Sequence, residues 1–127
     1  MSSSRLPGKA MLELMGTTVI GLTILRAIKS GYKTYLLTSN NMEDDLICME
    51  AYKLGVEGVV RGSLEDVRSR YLTLLDLTKS DYIVRVTADN PLTDYRFISK
   101  IKEQMNIMGS RYGWMNTSCC PDGMNLE

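Results

Sequence analysis

Histidine is absent from this chain of 127 residues. Its absence removes the commonest general base, the Ser-His and Cys-His nucleophile systems, and imidazole ligands for a metal. Cysteine is scarce as well: Cys48, Cys119 and Cys120 have neither the spacing of a zinc site nor the density of a secreted disulfide scaffold. Any chemistry therefore rests on carboxylates, lysine, arginine, hydroxyls, backbone groups or a hard metal ion.

The sequence also lacks net charge and long apolar runs. Fifteen Lys and Arg side chains balance fifteen Asp and Glu side chains, so no overall field attracts nucleic acid or an anionic membrane. No apolar run approaches the roughly 18 residues of a membrane span, and the N-terminus has no signal-peptide core. We expect a cytoplasmic protein of one domain at most, with no nucleic-acid or membrane partner.

Segments with helical spacing alternate with short apolar segments of strand character, which is typical of βαβ units in a parallel sheet. The first predicted helix covers residues 18–30, and the others begin at caps, namely Asn40 or Asn41, Ser63, and Thr93 or Asp94. The predicted strands cover residues 34–39, a short stretch at 59–60, residues 82–87 and, more weakly, 113–117. The sequence thus predicts an α/β fold with a mostly parallel sheet.

Polar side chains follow three of the predicted strands. Ligands of open parallel sheets bind beyond the carboxyl ends of the strands, and the residues at these ends are Ser39, Asn40 and Asn41, then Arg61, Gly62 and Ser63, then Ala88, Asp89, Asn90 and Pro91. Their donors, cation and carboxylate suit a phosphorylated ligand with a metal. Surface loops carry polar residues for solubility too, so composition alone leaves both interpretations open.

The N-terminal segment 2–9, S-S-S-R-L-P-G-K, combines small residues with two cations. Ser4 and Gly8 let backbone N–H groups approach an anion, and Arg5 and Lys9 can neutralise phosphate oxygens. The spacing is not that of a Walker loop. An exposed basic N-terminus without a ligand explains the same composition equally well.

Asp89 is the strongest candidate for a metal ligand. A carboxylate at a strand end can hold Mg²⁺ while substrate phosphates supply other ligands. Asp89-Asn90-Pro91 is also an ordinary turn sequence, and a turn or helix cap needs no metal. The residues by themselves leave the structural role open.

These segments, taken in order, resemble the cytidylyltransferases that make CMP-activated acidic sugars, such as the acylneuraminate and CMP-KDO synthetases. The resemblance is closest to the spore coat polysaccharide biosynthesis branch of that family. It covers nearly the whole chain and is carried by S-S-S-R-L-P-G-K at 2–9, L-L-T-S at 36–39, R-G-S-L-E-D-V at 61–67, R-V-T-A-D-N-P-L at 85–92 and P-D-G-M-N-L-E at 121–127.

The resemblance implies a Rossmann-like nucleotide-diphospho-sugar transferase fold that takes CTP and a sugar acid and releases pyrophosphate. It also implies site residues. Arg5 and Lys9 would be catalytic by holding the triphosphate, Asp89 would bind Mg²⁺, and the nucleotide would contact Ser4, Gly8, Thr38, Ser39, Arg61, Gly62 and Ser63.

The resemblance further implies that residues 1–127 are a partial cytidylyltransferase domain. Relative to the family, we expect the chain to lack the first strand, which ends in Ala-Arg, and the C-terminal half with its second acidic cluster and possible homodimer contact. Two alternatives remain beside the enzyme. One is an inactive remnant that binds nucleotide weakly, and the other is a related sugar-nucleotide-dependent glycosyltransferase.

Overall fold

The computed structural model describes residues 7–113. Helices and strands alternate along these residues, which confirms the predicted α/β fold. The elements are, in order, a 3₁₀ helix at Lys9–Met11, β1 at Glu13–Leu14, β2 at Thr17–Thr18, α1 at Val19–Ile28, β3 at Tyr35–Ser39, a 3₁₀ helix at Met42–Asp44, α2 at Asp45–Leu54, β4 at Gly58–Gly62, α3 at Val67–Thr78 and α4 at Arg96–Met108.

The strands β3 and β4 are parallel, as predicted, and α2 connects them. Their register runs from Tyr35 opposite Gly58 to Ser39 opposite Gly62. The carboxyl ends of the two strands therefore lie side by side. One further hydrogen bond, from the Asn40 N–H to the Gly62 carbonyl at 2.9 Å, extends this pairing into the loop.

The core of the described residues lies between α1, α2 and the β3–β4 pair. Ile20 and Ile24 lie one turn apart on α1, and Ile47 and Ala51 do so on α2, so each helix buries one face. Cys48 is a free, buried thiol among them. Burial raises the pKa of Cys48, so this thiol is a poor nucleophile at neutral pH.

A short antiparallel hairpin of β1 and β2, which was not predicted from the sequence, precedes α1. Glu13 pairs with Thr18, and Leu14 pairs with Thr17. The two turn residues Met15 and Gly16 have φ values of 55° and 80°, which is the left-handed geometry of a tight hairpin turn. Strands of two residues are too short to show a period of two.

The predicted strand at residues 82–87 is wrong for the described structure. No strand in residues 7–113 pairs with this segment. Tyr82 instead contacts α4, where its hydroxyl donates to Oδ1 of Asn106 at 2.9 Å and the Lys102 amine lies 5.7 Å from the ring centroid. A β-branched composition favours extended backbone, but a ladder also needs a neighbouring strand.

Three helices begin later than predicted. The 3₁₀ helix at Met42–Asp44 precedes α2, so neither Asn40 nor Asn41 caps that helix directly. The Ser63 hydroxyl accepts from the N–H of Asp66 in a turn, and the Asp66 carboxylate is the actual cap of α3, accepting from the Ser69 N–H at 3.0 Å. An aspartate is as good a cap as a serine, so the sequence was compatible with either Ser63 or Asp66 as the cap of α3.

The last helix, α4, also differs from its prediction. It begins at Arg96, and Asp94 accepts from the Arg96 N–H at 3.0 Å just before it. Ile98 is buried, whereas Met108 at the end of the helix is 75% exposed. The predicted strand at 113–117 lies outside the described residues except for its first position. None of the helices in residues 7–113 has both the length and the apolar composition needed to cross a bilayer.

Gly62, the last residue of β4, lies against the side chain of Arg70 on α3. A Cβ at this position would come within 2.7 Å of Cγ of Arg70, which is too close for two carbon atoms. We expect Gly62→Ala to lower the free energy of unfolding by about 1–3 kcal/mol, measured by urea denaturation. The loss should largely disappear in an Arg70→Ala background, because the two side chains then no longer overlap.

Gly58→Ala provides the matched control in the same strand. Its Cβ would meet only the Tyr35 ring, at an ordinary distance of 3.4 Å, so we expect a much smaller loss. An equal cost of Gly62→Ala with Arg70 present or removed would contradict this packing.

Candidate functional site

Lys9 and Asp89 are 80 residues apart in the sequence and in contact in the structure. The Lys9 amine donates to Oδ2 of Asp89 at 3.2 Å. The two side chains are 42% and 55% exposed, so a ligand can reach both. The structure therefore brings together the residues predicted to hold a triphosphate and a metal.

The backbone around Lys9 depends on Gly8. Gly8 has a φ of 72°, which only glycine adopts at low cost, and no atom lies within 4 Å of where a Cβ would be. Its carbonyl accepts from the Met11 N–H at 2.8 Å and closes the 3₁₀ turn that Lys9 begins. The backbone turn at Gly8 thus helps to set the direction of the Lys9 side chain.

Asp89 lies in the first of two linked turns. The Asn90 N–H donates to the Thr87 carbonyl at 3.0 Å, and the Thr93 N–H donates to the Asn90 carbonyl at 3.2 Å. Burial opposes ionisation of Asp89, but hydrogen bonds from the Lys9 amine and the Thr87 side chain outweigh it and lower the pKa of the carboxyl. Asp89 is therefore an anionic oxygen donor at neutral pH.

The donor set around Asp89 fits a metal shared with a substrate. Within residues 7–113, no three His, Cys, Asp or Glu side chains come together in a way that could hold a metal ion. This part of the chain therefore forms no cage of protein ligands. A single exposed carboxylate can nevertheless bind Mg²⁺ when phosphate oxygens and water supply the other ligands.

Thr38 and Ser39, predicted to contact the nucleotide, direct their side chains to a buried carboxylate. Oδ2 of Asp44 accepts from the Thr38 hydroxyl at 2.7 Å, the Ser39 hydroxyl at 2.5 Å and the Ser39 N–H at 3.1 Å. Asp44 is 2% exposed. The hydroxyls of Thr38 and Ser39 therefore bind within the protein, and their role at the nucleotide stays a prediction.

Asp44 connects the end of β3 to the start of α2 and was not among the predicted site residues. Burial opposes its ionisation, yet the hydrogen bonds that it accepts, among them those from Ser39 and Thr38, outweigh burial and lower the pKa of Asp44. The residue is thus a buried anion whose charge is compensated by donors. Two hydroxyl residues at a strand end followed by an aspartate five residues later were the available signal.

Arg61 spans the loop between β3 and α2. Its Nε donates to the Ser39 carbonyl at 2.9 Å, and its two terminal nitrogens donate to the Asn41 carbonyl at 2.7 Å and to Oδ1 of Asp45 at 2.5 Å. The Asp45 carboxylate raises the pKa of Arg61. Arg61 therefore stabilises the loop, and a contact of this side chain with a nucleotide would compete with these bonds.

Arg70 carries the only buried side-chain nitrogen or oxygen without a hydrogen-bond partner among the described residues, its Nε. Such groups are rare because a lost hydrogen bond costs about 1–3 kcal/mol. Arg70 was not among the predicted site residues. Its stem lies against Gly62, so this unpartnered nitrogen belongs to a side chain next to the carboxyl end of β4.

The predicted site residues are thus distributed as follows. Lys9, Gly8 and Asp89 come together, and Ser39 and Gly62 lie side by side at the carboxyl ends of β3 and β4. Ser63 accepts backbone hydrogen bonds from Glu65 and Asp66 at the entrance to α3. Ser4 and Arg5 lie outside the described residues, and their roles stay predictions.

Comparison with known proteins identifies the family of the chain. The family model described as cytidylyltransferase matches residues 1–117. The spore coat polysaccharide biosynthesis protein SpsF of Bacillus subtilis is 28% identical over 121 residues, covering 91% of this chain and 50% of that protein. A 3-deoxy-manno-octulosonate cytidylyltransferase of Syntrophobacter fumaroxidans is 26% identical over 107 residues, covering 81% of this chain and 42% of that protein.

A solved structure shows the same fold. A cytidylyltransferase from Leptospira borgpetersenii serovar Hardjo-bovis superposes with a TM-score of 0.84 at 31% identity, over 99% of this chain and 55% of that one. The chain therefore belongs to the cytidylyltransferase family. It spans about half the length of the relatives that it matches.

The buried Asp44 gives the protein a pH-dependent stability. A carboxylate whose pKa is lowered on folding stabilises the fold fully above its unfolded pKa of about 3.9, and this stability is lost as the pH falls below that value towards the folded pKa. We expect Asp44→Asn to lower the free energy of unfolding by about 1.5–3 kcal/mol at pH 7, since bonds to a charged acceptor are lost. The difference from the parent should shrink as the pH falls below about 4.

The measurement is urea denaturation of parent and variant from acid to neutral pH. Asp81→Asn is the control, because Asp81 is exposed, and its removal should leave both stability and pH profile unchanged. A difference between parent and Asp44→Asn that is the same at every pH would contradict the assignment.

Proposed function

We propose that this chain carries the nucleotide-binding part of a Mg²⁺-dependent cytidylyltransferase that transfers CMP from CTP to a sugar acid. An anionic oxygen of the sugar forms a bond to the α-phosphorus of CTP, the bond from that phosphorus to the β-phosphate oxygen breaks, and pyrophosphate leaves with that electron pair. The observation that carries the proposal is the 3.2 Å contact of the Lys9 amine with the Asp89 carboxylate.

The charges of this pair suit a polyphosphate. Transfer of this kind depends mainly on alignment and on neutralising charge on the phosphoryl and leaving oxygens. Lys9, paired with Asp89 in the free protein, can turn its amine to a phosphate oxygen. Asp89 would hold Mg²⁺, which when bound would neutralise phosphate charge. The reaction needs no histidine, and the chain has none.

The remaining roles follow from the family resemblance and the positions of the residues. Arg5 would supply a second cation to the triphosphate, and Ser4 and Gly8 would supply backbone N–H groups. Because the hydroxyls of Thr38 and Ser39 are bound to Asp44, we propose that this strand end borders the nucleotide by shaping the loop that follows it. Arg61, Gly62 and Ser63 would border the same nucleotide from the next strand.

Two relatives support a polysaccharide role. One is a spore coat polysaccharide biosynthesis protein and the other is a 3-deoxy-manno-octulosonate cytidylyltransferase. We therefore propose that the acceptor is an acidic sugar destined for a surface or spore polysaccharide. Since CTP is an intracellular metabolite, the reaction would be cytoplasmic. A separate proposal, from the family resemblance, is that a longer form of the protein would form a homodimer.

Calorimetric titration of CTP with Mg²⁺ into the 127-residue chain tests the proposal. We expect Lys9→Ala and Asp89→Asn each to weaken binding about 10- to 100-fold, which corresponds to one charged contact of about 1.5–3 kcal/mol. The free energy of unfolding should change by less than about 1 kcal/mol, because exposed ion pairs contribute little. ATP, GTP and UTP should bind more weakly than CTP.

Lys33→Ala and Asp81→Asn are the matched controls, because they remove the same charges at exposed positions elsewhere. They should bind CTP like the parent. Normal CTP binding by both Lys9→Ala and Asp89→Asn would refute the proposed roles. Release of pyrophosphate on adding a sugar acid distinguishes an active chain from one that only binds nucleotide.

A further inference from the structure

The start of α1 holds the segment that carries Lys9. The Leu12 N–H donates to the Lys9 carbonyl at 3.2 Å, and the Leu12 carbonyl accepts from the Val19 N–H at 2.9 Å. Val19 is the first residue of α1. Two backbone hydrogen bonds therefore connect Lys9 to the N-terminal end of this helix.

The other end of α1 holds the segment that carries Asp89. Arg26, in the last turn of the helix, donates from Nε to the Thr93 carbonyl at 2.7 Å and from a terminal nitrogen to the Leu92 carbonyl at 3.4 Å. Thr93 is 4% exposed. Its hydroxyl and its N–H both donate to the Asn90 carbonyl, at 2.9 Å and 3.2 Å. This second turn adjoins the turn that contains Asp89.

The helix α1 thus supports both of the segments that carry the ion pair, one at each of its ends. The helix has ten residues and is therefore about 15 Å long and stiff. An exposed ion pair is too weak to hold two loops together by itself. The position of Asp89 relative to Lys9 must come from the segments that hold each residue, and Arg26 makes the side-chain connection on the Asp89 side.

Arg26 suits this task because its guanidinium donates to two successive carbonyls at once. The nearby Asp94 carboxylate accepts instead from Nε of Arg96, at 2.9 Å and 3.0 Å. A simpler interpretation is that a cation near a helix C-terminus favours the helix dipole. Lys29 at the helix C-cap would serve that purpose equally well. A variant of Lys29 therefore distinguishes the two interpretations.

We propose that Arg26 is a positioning residue that fixes the turn of Asp89 to the end of α1, so that a metal held by Asp89 meets a polyphosphate held by Lys9. This inference rests on the proposed function. Arg26 touches neither substrate nor metal in this role. It acts through the carbonyls of Leu92 and Thr93.

The first test needs no ligand. Arg26→Met removes the donors and keeps most of the stem, and Lys29→Met removes a nearby charge that is exposed. We expect the amides of Asn90 and Thr93 to exchange hydrogen at least about tenfold faster in Arg26→Met, because local opening controls exchange, and at the parent rate in Lys29→Met. Equal protection of these amides in parent and Arg26→Met would overturn the proposal that Arg26 fixes the Asp89 turn to α1.

The second test separates positioning from stability. Calorimetric titration with CTP is done in Mg²⁺ and in EDTA. The quantity compared is the increase in CTP affinity that Mg²⁺ causes. We expect this increase to be about tenfold smaller in Arg26→Met than in the parent. The affinity in EDTA should stay the same, because Lys9 is held by the other end of α1. Arg26→Lys, which keeps the charge and one donor, should recover part of the Mg²⁺ effect.

Each outcome decides one question. An undiminished Mg²⁺ effect in Arg26→Met would overturn the role of Arg26, even if CTP binding itself is normal. If the parent chain binds no CTP under either condition, the proposed function fails and the metal role of Arg26 fails with it. The exchange rates then still decide whether Arg26 fixes the Asp89 turn. Circular dichroism confirms folding, and Arg26→Lys replaces Arg26→Met if the latter unfolds.

Discussion

The contact between the Lys9 amine and the Asp89 carboxylate is the interaction on which the site depends. It joins residues 80 positions apart at 3.2 Å, yet an exposed pair of this kind adds about 0–1 kcal/mol to stability. The pair is therefore a result of the fold and not its support. Other contacts hold the two side chains close, and both are open to solvent. In the proposed function, Lys9 would exchange Asp89 for a polyphosphate, and Asp89 would exchange Lys9 for the metal. Neither exchange would cost much folding energy.

The fold supplies that closeness through α1 and the core beneath it. Ile20 and Ile24 anchor the helix in the core, while its two ends hold the Lys9 and Asp89 segments. A second set of polar contacts, centred on Asp44 and Arg61, stabilises the loop after β3. The polar residues at the ends of β3 and β4 thus maintain loop shape first, and this shape is what a nucleotide would meet.

The sequence predicted what depends on local pattern. The parallel β3–β4 unit and its connecting helix followed from apolar periodicity, and the approach of Lys9 to Asp89 followed from the family resemblance. The partners of Thr38 and Arg61 did not, because side-chain hydrogen bonds across a loop leave no periodic signal. The segment 82–87 shows the same limit, since its composition is that of a strand but ladder pairing is a property of its neighbours. Arg26 went unnoticed because its acceptors are backbone carbonyls, which no sequence motif marks.

A crystal structure of the chain with CTP and Mn²⁺, with the metal located by its anomalous signal, tests the convergence of Lys9 and Asp89 most directly. We expect the metal at the Asp89 carboxylate, at least one phosphate oxygen in its coordination shell, and another phosphate oxygen within hydrogen-bonding distance of the Lys9 amine. A triphosphate bound away from both side chains, or a metal held by other carboxylates while Lys9 and Asp89 stay paired, would contradict the assigned site.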